Sequence, residues 1–177
     1  YVTMEFVEGL NLEQFCEASG GRLIPPVALG IMNRITAALV FAHGREIVHR
    51  NVSPQNILIG PGGSPKLADL ALAKRSTVKK VSMTITSKGQ VLTASVFSSP
   101  EAVLGEPMDV RSDVWGVGAT LFRALTDRAP YGNDPKKLTQ RIMTADREDS
   151  KTLLRNVSPE LHSLLKRCLE PNPDQRY

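Results

Sequence analysis

Between Asp109 and Thr126 the chain sets Val114, Trp115, Val117, Leu121, Phe122 and Leu125 around much of the circumference of a helix. A helix that is apolar on most sides has to be enclosed by other elements. The rest of the sequence must therefore supply a shell, and at 177 residues with 41% hydrophobic content it is long and apolar enough for one domain or one large lobe. With 5% aromatic residues and a single tryptophan, the core rests on Leu, Val, Ile and Ala.

The candidate shell elements can be taken in order. Tyr1 to Phe6 alternates, with Val2, Met4 and Phe6 on one face, which predicts a short strand turned by Glu8-Gly9. Asn11 and Gln14 have capping-box spacing, so a helix is expected through Phe15 and Cys16 until Gly20-Gly21. Pro25-Pro26 suits the first turn of a longer helix. There Val27, Ile31, Ile35 and Leu39 form a stripe that Met32 and Val40 widen, and Gly44 closes it; this helix is expected to be central and largely buried. Ile57 to Ile59 and Pro65 to Ala68 flank a Gly/Pro-rich turn and predict a hairpin that carries Asp69 toward Asn56. Residues 70–98 have no sustained period and read as a long loop. Ser99-Pro100-Glu101 restarts order, and Asp134-Pro135 and Ser158-Pro159-Glu160 open further helices, the last with Leu161, Leu164, Leu165, Cys168 and Leu169 on one face.

Composition removes several classes of function. The formal charge of +4 comes with neither a Lys/Arg tract interleaved with aromatics nor a zinc-type spacing, so nucleic acid is not an expected partner. Two cysteines, Cys16 and Cys168, are too few for a disulfide framework and fit buried thiols in a reducing, cytoplasmic compartment. No apolar run is read as approaching membrane-spanning length, and no signal peptide opens the chain.

The chemistry concentrates in Ile47 to Leu58, IVHRNVSPQNIL, a polar loop with apolar residues leading in and out. Together with the surrounding motifs it resembles the C-terminal lobe of the eukaryotic-type protein kinase family, with a lean to its bacterial Ser/Thr branch. Tyr1 to Gly9 looks like the last N-lobe strand, a Met4 gatekeeper and the hinge. His49 to Asn56 looks like the catalytic loop, and Asp69-Leu70-Ala71 stands where the family has Asp-Phe-Gly. Ser99-Pro100-Glu101 resembles Ala-Pro-Glu, Ser112 to Gly118 resembles the start of the central buried helix, and Arg176 matches a late arginine. The resemblance implies a mainly α fold with small β-hairpins. Residues 1–10 would be the last N-lobe strand and hinge, and residues 11–177 the C-terminal lobe, with an activation segment over 69–101. The glycine-rich loop, strand lysine and helix glutamate of a complete nucleotide cleft would lie in an upstream N-lobe segment.

Against that family the loop departs at the positions that matter for phosphoryl transfer, which needs a carboxylate to orient and deprotonate the hydroxyl, metal ligands, and cations at the transferring phosphate. Asn51 occupies the position of the base and carries no charge; Ser53 occupies the position of the lysine. Counting back from Glu101, the family's Gly-Thr falls on Thr93-Ala94, so the hydroxyl tying base to lysine is replaced by the methyl of Ala94, although Thr93 could serve after a one-residue shift. Leu70 keeps an apolar plug for His49, and Ala71 removes the freedom of a glycine.

The remaining roles follow from the same resemblance. Asn56 and Asp69 are the metal-ligand positions, or else cap local turns. Glu5 and Val7 offer backbone groups to a purine, and Leu58 touches the adenine. Arg50 is either a surface arginine or a sensor of a phosphorylated residue. His49 is structural, Glu101 and Arg176 form an ion pair, and Asp113 holds the loop backbone. The basic stretch Lys74, Arg75, Lys79, Lys80 and Lys88 is a solvated loop or a seat for an acidic partner. The expected function is a catalytically impaired Ser/Thr pseudokinase that serves as a regulatory or interaction module for a protein partner or client kinase, with ATP and Mg²⁺ binding only alongside the N-lobe. An active kinase of divergent mechanism and a helical scaffold without nucleotide stay open.

Overall fold

A computed structural model of the protein describes residues 5–69, 74–75, 95–144, 154 and 157–177. The enclosed helix is α4, Val110–Thr126. It starts where the Asp109 side chain accepts from Arg111 N at 2.8 Å, and it ends at Asp127, which takes a left-handed φ of 65°. Trp115, Ala119, Leu121, Phe122 and Ala124 are buried, and the Trp115 ring stacks on Tyr131 with centroids 5.7 Å apart. Small residues let neighbours come close: a Cβ on Gly118 would lie 2.6 Å from Cys168 Cβ. The shell around α4 is made by α1 (Leu12–Ala18), α2 (Pro25–His43) and a C-terminal helix, Pro159–Cys168, numbered α6 below. Between them in sequence lie α3, Pro100–Leu104, and α5, Pro135–Met143.

Local chemistry sets the ends of these helices. Asn11 Oδ1 accepts from Gln14 N at 2.9 Å and Gln14 Oε1 accepts from Asn11 N at 3.0 Å, which completes a reciprocal capping box at α1. Gly20 and Gly21 follow with φ of 85° and 90°, so the chain reverses without a Cβ penalty. Ser158 caps α6 by accepting from Leu161 N at 3.3 Å. The chain leaves α2 through Gly44, which keeps a right-handed conformation; the reversal falls two residues later on Glu46, at φ 59°.

Three expectations are corrected. The strand expected over Tyr1 to Phe6 is not formed at Glu5 and Phe6, and its first four residues lie outside the described residues. The strand that does form, β1 at Leu10–Asn11, is the one with a partner to pair with. Helix α2 is one-sided rather than largely buried. Ala28, Ile31, Met32, Ile35 and Leu39 face the core, whereas Val27 is 40% and Val40 65% exposed, because the buried arc runs from Ile31 to Met32 around the helix and these two valines fall outside its opposite edges. By length and composition α2 is also long and apolar enough to cross a membrane, contrary to the reading that no such run exists. Its inner face packs against α4.

The hairpin is β3 (Ile57–Ile59) with β4 (Pro65–Leu67), in register Ile57 to Leu67 and Ile59 to Pro65. With β1 it makes an antiparallel sheet of order β1-β3-β4. Ile57 and Ile59 are buried while Leu58, on the opposite face, is half-exposed. A second antiparallel pair joins β2 (Ile47–Val48) to β5 (Lys74–Arg75). The polar loop runs between β2 and β3.

Candidate functional site

The loop is held from below by one buried carboxylate. Asp113, in the first turn of α4, is 1% exposed. Its Oδ2 accepts from His49 N at 2.9 Å and its Oδ1 from Arg50 N at 2.7 Å. His43 Nε2, at the last residue of α2, lies 2.8 Å from Oδ2; a carboxylate only accepts, so the ring N–H donates. One side chain thus fixes two consecutive main-chain amides and the end of a neighbouring helix. Arg50 takes a left-handed φ of 68°, a conformation a non-glycine residue keeps only when its surroundings determine it.

Above Asp113 the ring of His49 is fully buried and both of its nitrogens are engaged. Nε2 donates to Ala68 O at 3.0 Å, and Nδ1 accepts from Asn51 N at 3.3 Å. This joins the loop to the strand end that leads into Asp69. Asn56 closes the loop from the other side: its Nδ2 donates to Asn51 O at 2.8 Å, and its carbonyl accepts from Ala68 N at 2.8 Å. Asn51 is half-buried, Ser53 is buried, and Asp69 is exposed with φ 64°. The backbone of Val52 rests on α4, where a Cβ on Gly116 would fall 2.8 Å from Val52 Cβ and 2.9 Å from Val52 O. Gly116→Ala is therefore expected to cost about 1 to 3 kcal/mol through overpacking. Urea unfolding of the full-length protein checks this, and a change under about 0.5 kcal/mol would contradict the contact.

A second buried ion pair lies at the other end of the site. Arg176 Nη1 and Nη2 donate to Glu101 Oε1 and Oε2, each at 2.8 Å, with side chains 0% and 5% exposed. Ser112 Oγ adds a bond to Glu101 Oε1 at 2.6 Å, and Arg176 also donates to the carbonyls of Arg111, Glu170 and Pro171. Burial alone would raise the Glu101 carboxyl, but the Arg176 and Ser112 hydrogen bonds outweigh it and hold it below the usual range. At Arg50 burial dominates and lowers the guanidinium, against the attraction of Asp113.

The residues before β1 are less enclosed. Glu5 is exposed, with its carboxylate paired to Lys66 Nζ, and Val7 is half-buried. Gly9 at φ 148° passes so close to Ile59 O that no Cβ fits there. Met4, Leu70, Ala71, Thr93, Ala94 and most of the basic stretch lie outside the described residues. His43 and Arg123 have no motif to mark them. Arg123 ties α4 to α1 by donating to Glu13 at 2.6 Å and to Gly21 O at 3.1 Å, and it pairs with Asp127. The signal for His43 is a polar residue ending an apolar helix; for Arg123 it is a cation inside a stretch that is otherwise apolar.

A polar loop clamped on a buried helix carboxylate, a strand-turn-strand leaving it, and a buried Glu-Arg pair define a kinase-like domain. The family described as "Protein kinase domain" matches residues 1–177, and the chain belongs to that family, in its bacterial Ser/Thr type. It is 31% identical over 178 residues to the serine/threonine-protein kinase PknB of Mycolicibacterium smegmatis and 33% identical over 178 residues to PrkC of Bacillus subtilis. Both matches cover 100% of this chain but only 28% and 27% of those proteins, so the chain spans about a quarter of the length of the curated relatives it matches.

Proposed function

We infer that the chain is the larger, mainly helical lobe of a Ser/Thr-type kinase domain, that phosphoryl transfer in it is impaired, and that it serves as a regulatory or interaction module for a protein partner or client kinase. Residues 1–10 act as the hinge and 11–177 as the lobe, with an activation segment over 69–101. The observation that carries the reading is Asn51: the loop backbone around it is fully held, yet the side chain offered there is an amide that takes no proton at neutral pH. Loss of a positioned base lowers rate about 10²- to 10⁴-fold. Ser53 in place of a cation removes about 10²- to 10³-fold more, without simple additivity.

Asn56 spends its Nδ2 on Asn51 O, which leaves Oδ1 free to face a cation, and Asp69 adds an exposed carboxylate. Oxygen donors of this kind suit Mg²⁺, which keeps several of its own waters. These two residues would hold the ion, and the ion would neutralise phosphate charge. Leu58, on the half-exposed face of β3, and the backbone of Glu5 and Val7 would border a purine once an upstream N-lobe segment covers them. Arg50 would read a phosphorylated residue. Cys16 and Cys168 are free and buried, which fits the cytoplasmic setting of this reading.

Phosphate transfer by the full-length protein to itself or a generic substrate tests the reading. Asn51→Asp alone is expected to change transfer by less than about tenfold, because Ser53 remains. Wild-type transfer at about 1 to 100 s⁻¹, the ordinary kinase range, would overturn the reading, as would recovery to that range by the single change. The second reading, an active kinase of divergent mechanism, is favoured by the loop geometry around Asn56. It requires that Asp69→Ala abolish an activity that Asn51→Ala leaves intact. A scaffold without nucleotide would show no thermal shift with Mg-ATP.

A further inference from the structure

Ser99 stands at the N-cap of α3, where a serine normally accepts from the helix's first free N–H groups, yet its side chain makes no capping bond. The next residue is Pro100, which has no N–H to offer. The Ser99 hydroxyl is left over: the residue is 4% exposed, and Oγ has no hydrogen-bond partner among the described residues. Ser99 and Arg50 both line one small cavity, and the Arg50 Nε–H is likewise buried and without a partner among the described residues. Asn51, Ser98 and Ser112 also line this cavity, and Val52, Phe97 and Gly116 complete its wall.

The geometry points to a bound water in this cavity, accepting from Arg50 Nε–H and hydrogen-bonded to Ser99 Oγ, that links the polar loop to the first turn of α3. Three observations carry it. The cavity volume of about 10 Å³ is close to the least that one water needs. Two of the residues that line it each carry a buried polar group with no protein partner among the described residues, and a buried group left unsatisfied is costly. Their chemistry is complementary through water and not otherwise imposed: Arg50 only donates, a hydroxyl both donates and accepts, and Ser112 Oγ keeps acceptor capacity after giving its proton to Glu101. The link does not rest on nucleotide binding or on any transfer activity.

The sign of one substitution separates the alternatives. Were Ser99 Oγ unpaired, Ser99→Ala would remove a buried unsatisfied group and leave the melting temperature of the full-length protein unchanged or higher. With the water in place, the same deletion of one oxygen strips the water of a partner and lowers the melting temperature by about 2 to 4 °C. Arg50→Lys removes Nε–H from the other side, and the two changes together are expected to lower it by less than the sum of the singles, because both break one bridge. A crystal structure of the wild-type protein at high resolution should show one ordered density peak within hydrogen-bond distance of both atoms. An unchanged or raised melting temperature for Ser99→Ala, additivity of the two changes, or a dry cavity overturns the inference.

Discussion

Asp113→Ala is expected to lower the stability of the full-length protein by about 2 to 6 kcal/mol. The figure rests on the two main-chain amides that this carboxylate accepts, His49 N at 2.9 Å and Arg50 N at 2.7 Å. Each buried N–H left without a partner costs about 1 to 3 kcal/mol. His43 counts for less, because its side chain is 22% exposed and can turn its ring N–H to water. Asp113→Asn should fall between wild type and alanine, since its remaining carbonyl oxygen can satisfy only part of the set. Urea unfolding gives both numbers. A loss under about 1 kcal/mol for the alanine variant would mean that the loop amides find other partners, and that the loop is not held as described.

Arg176→Met is expected to cost about 3 to 5 kcal/mol, because it leaves the Glu101 carboxylate buried without a counter-charge. Pairing it with Glu101→Gln should recover much of the loss, since the second change removes the stranded charge; a double-mutant cycle reads the coupling. The two proteins should also respond oppositely to acid. In the wild type the folded-state pKa of Glu101 lies below its ordinary value, so its stabilisation is fully present above the usual carboxylate range and fades as pH falls through the lowered value. Without Arg176 the effect of burial prevails and the folded-state pKa rises, so protonation favours the folded variant. The gap between the two proteins should therefore narrow from pH 7 toward pH 4. A gap that widens would show that the pair does not control this carboxyl.

What the residues alone disclose differs from element to element for physical reasons. The capping box at Asn11, the hairpin over Ile57 to Leu67 and the enclosure of α4 are local or composition-driven, and each is readable from a few neighbouring side chains. The α2 stripe is not, because Val27 and Ile31 share a helical period whether or not anything covers the valine. The strand expected at Glu5 and Phe6 fails for a related reason: alternation marks a residue suited to a sheet, while pairing needs a partner, and β3 pairs instead with Leu10 and Asn11. In the site, the family resemblance implies the positions of Asn51, Asn56 and Asp69 and the hold of Asp113 on the loop backbone, but not every long-range partner. His43 is 70 positions from Asp113, and Arg50 and Ser99 meet at a cavity that no local pattern encodes.

The carboxylate of Asp113 grips the loop by its amides and not by its side chains, with a consequence for how such a chain can vary. Every residue except proline brings the same N–H to positions 49 and 50. Mutation can therefore rewrite the side chains at Asn51 and Ser53 without loosening the loop that displays them. Shape and chemistry are inherited separately here, and a lineage can lose the second while the first passes on unchanged.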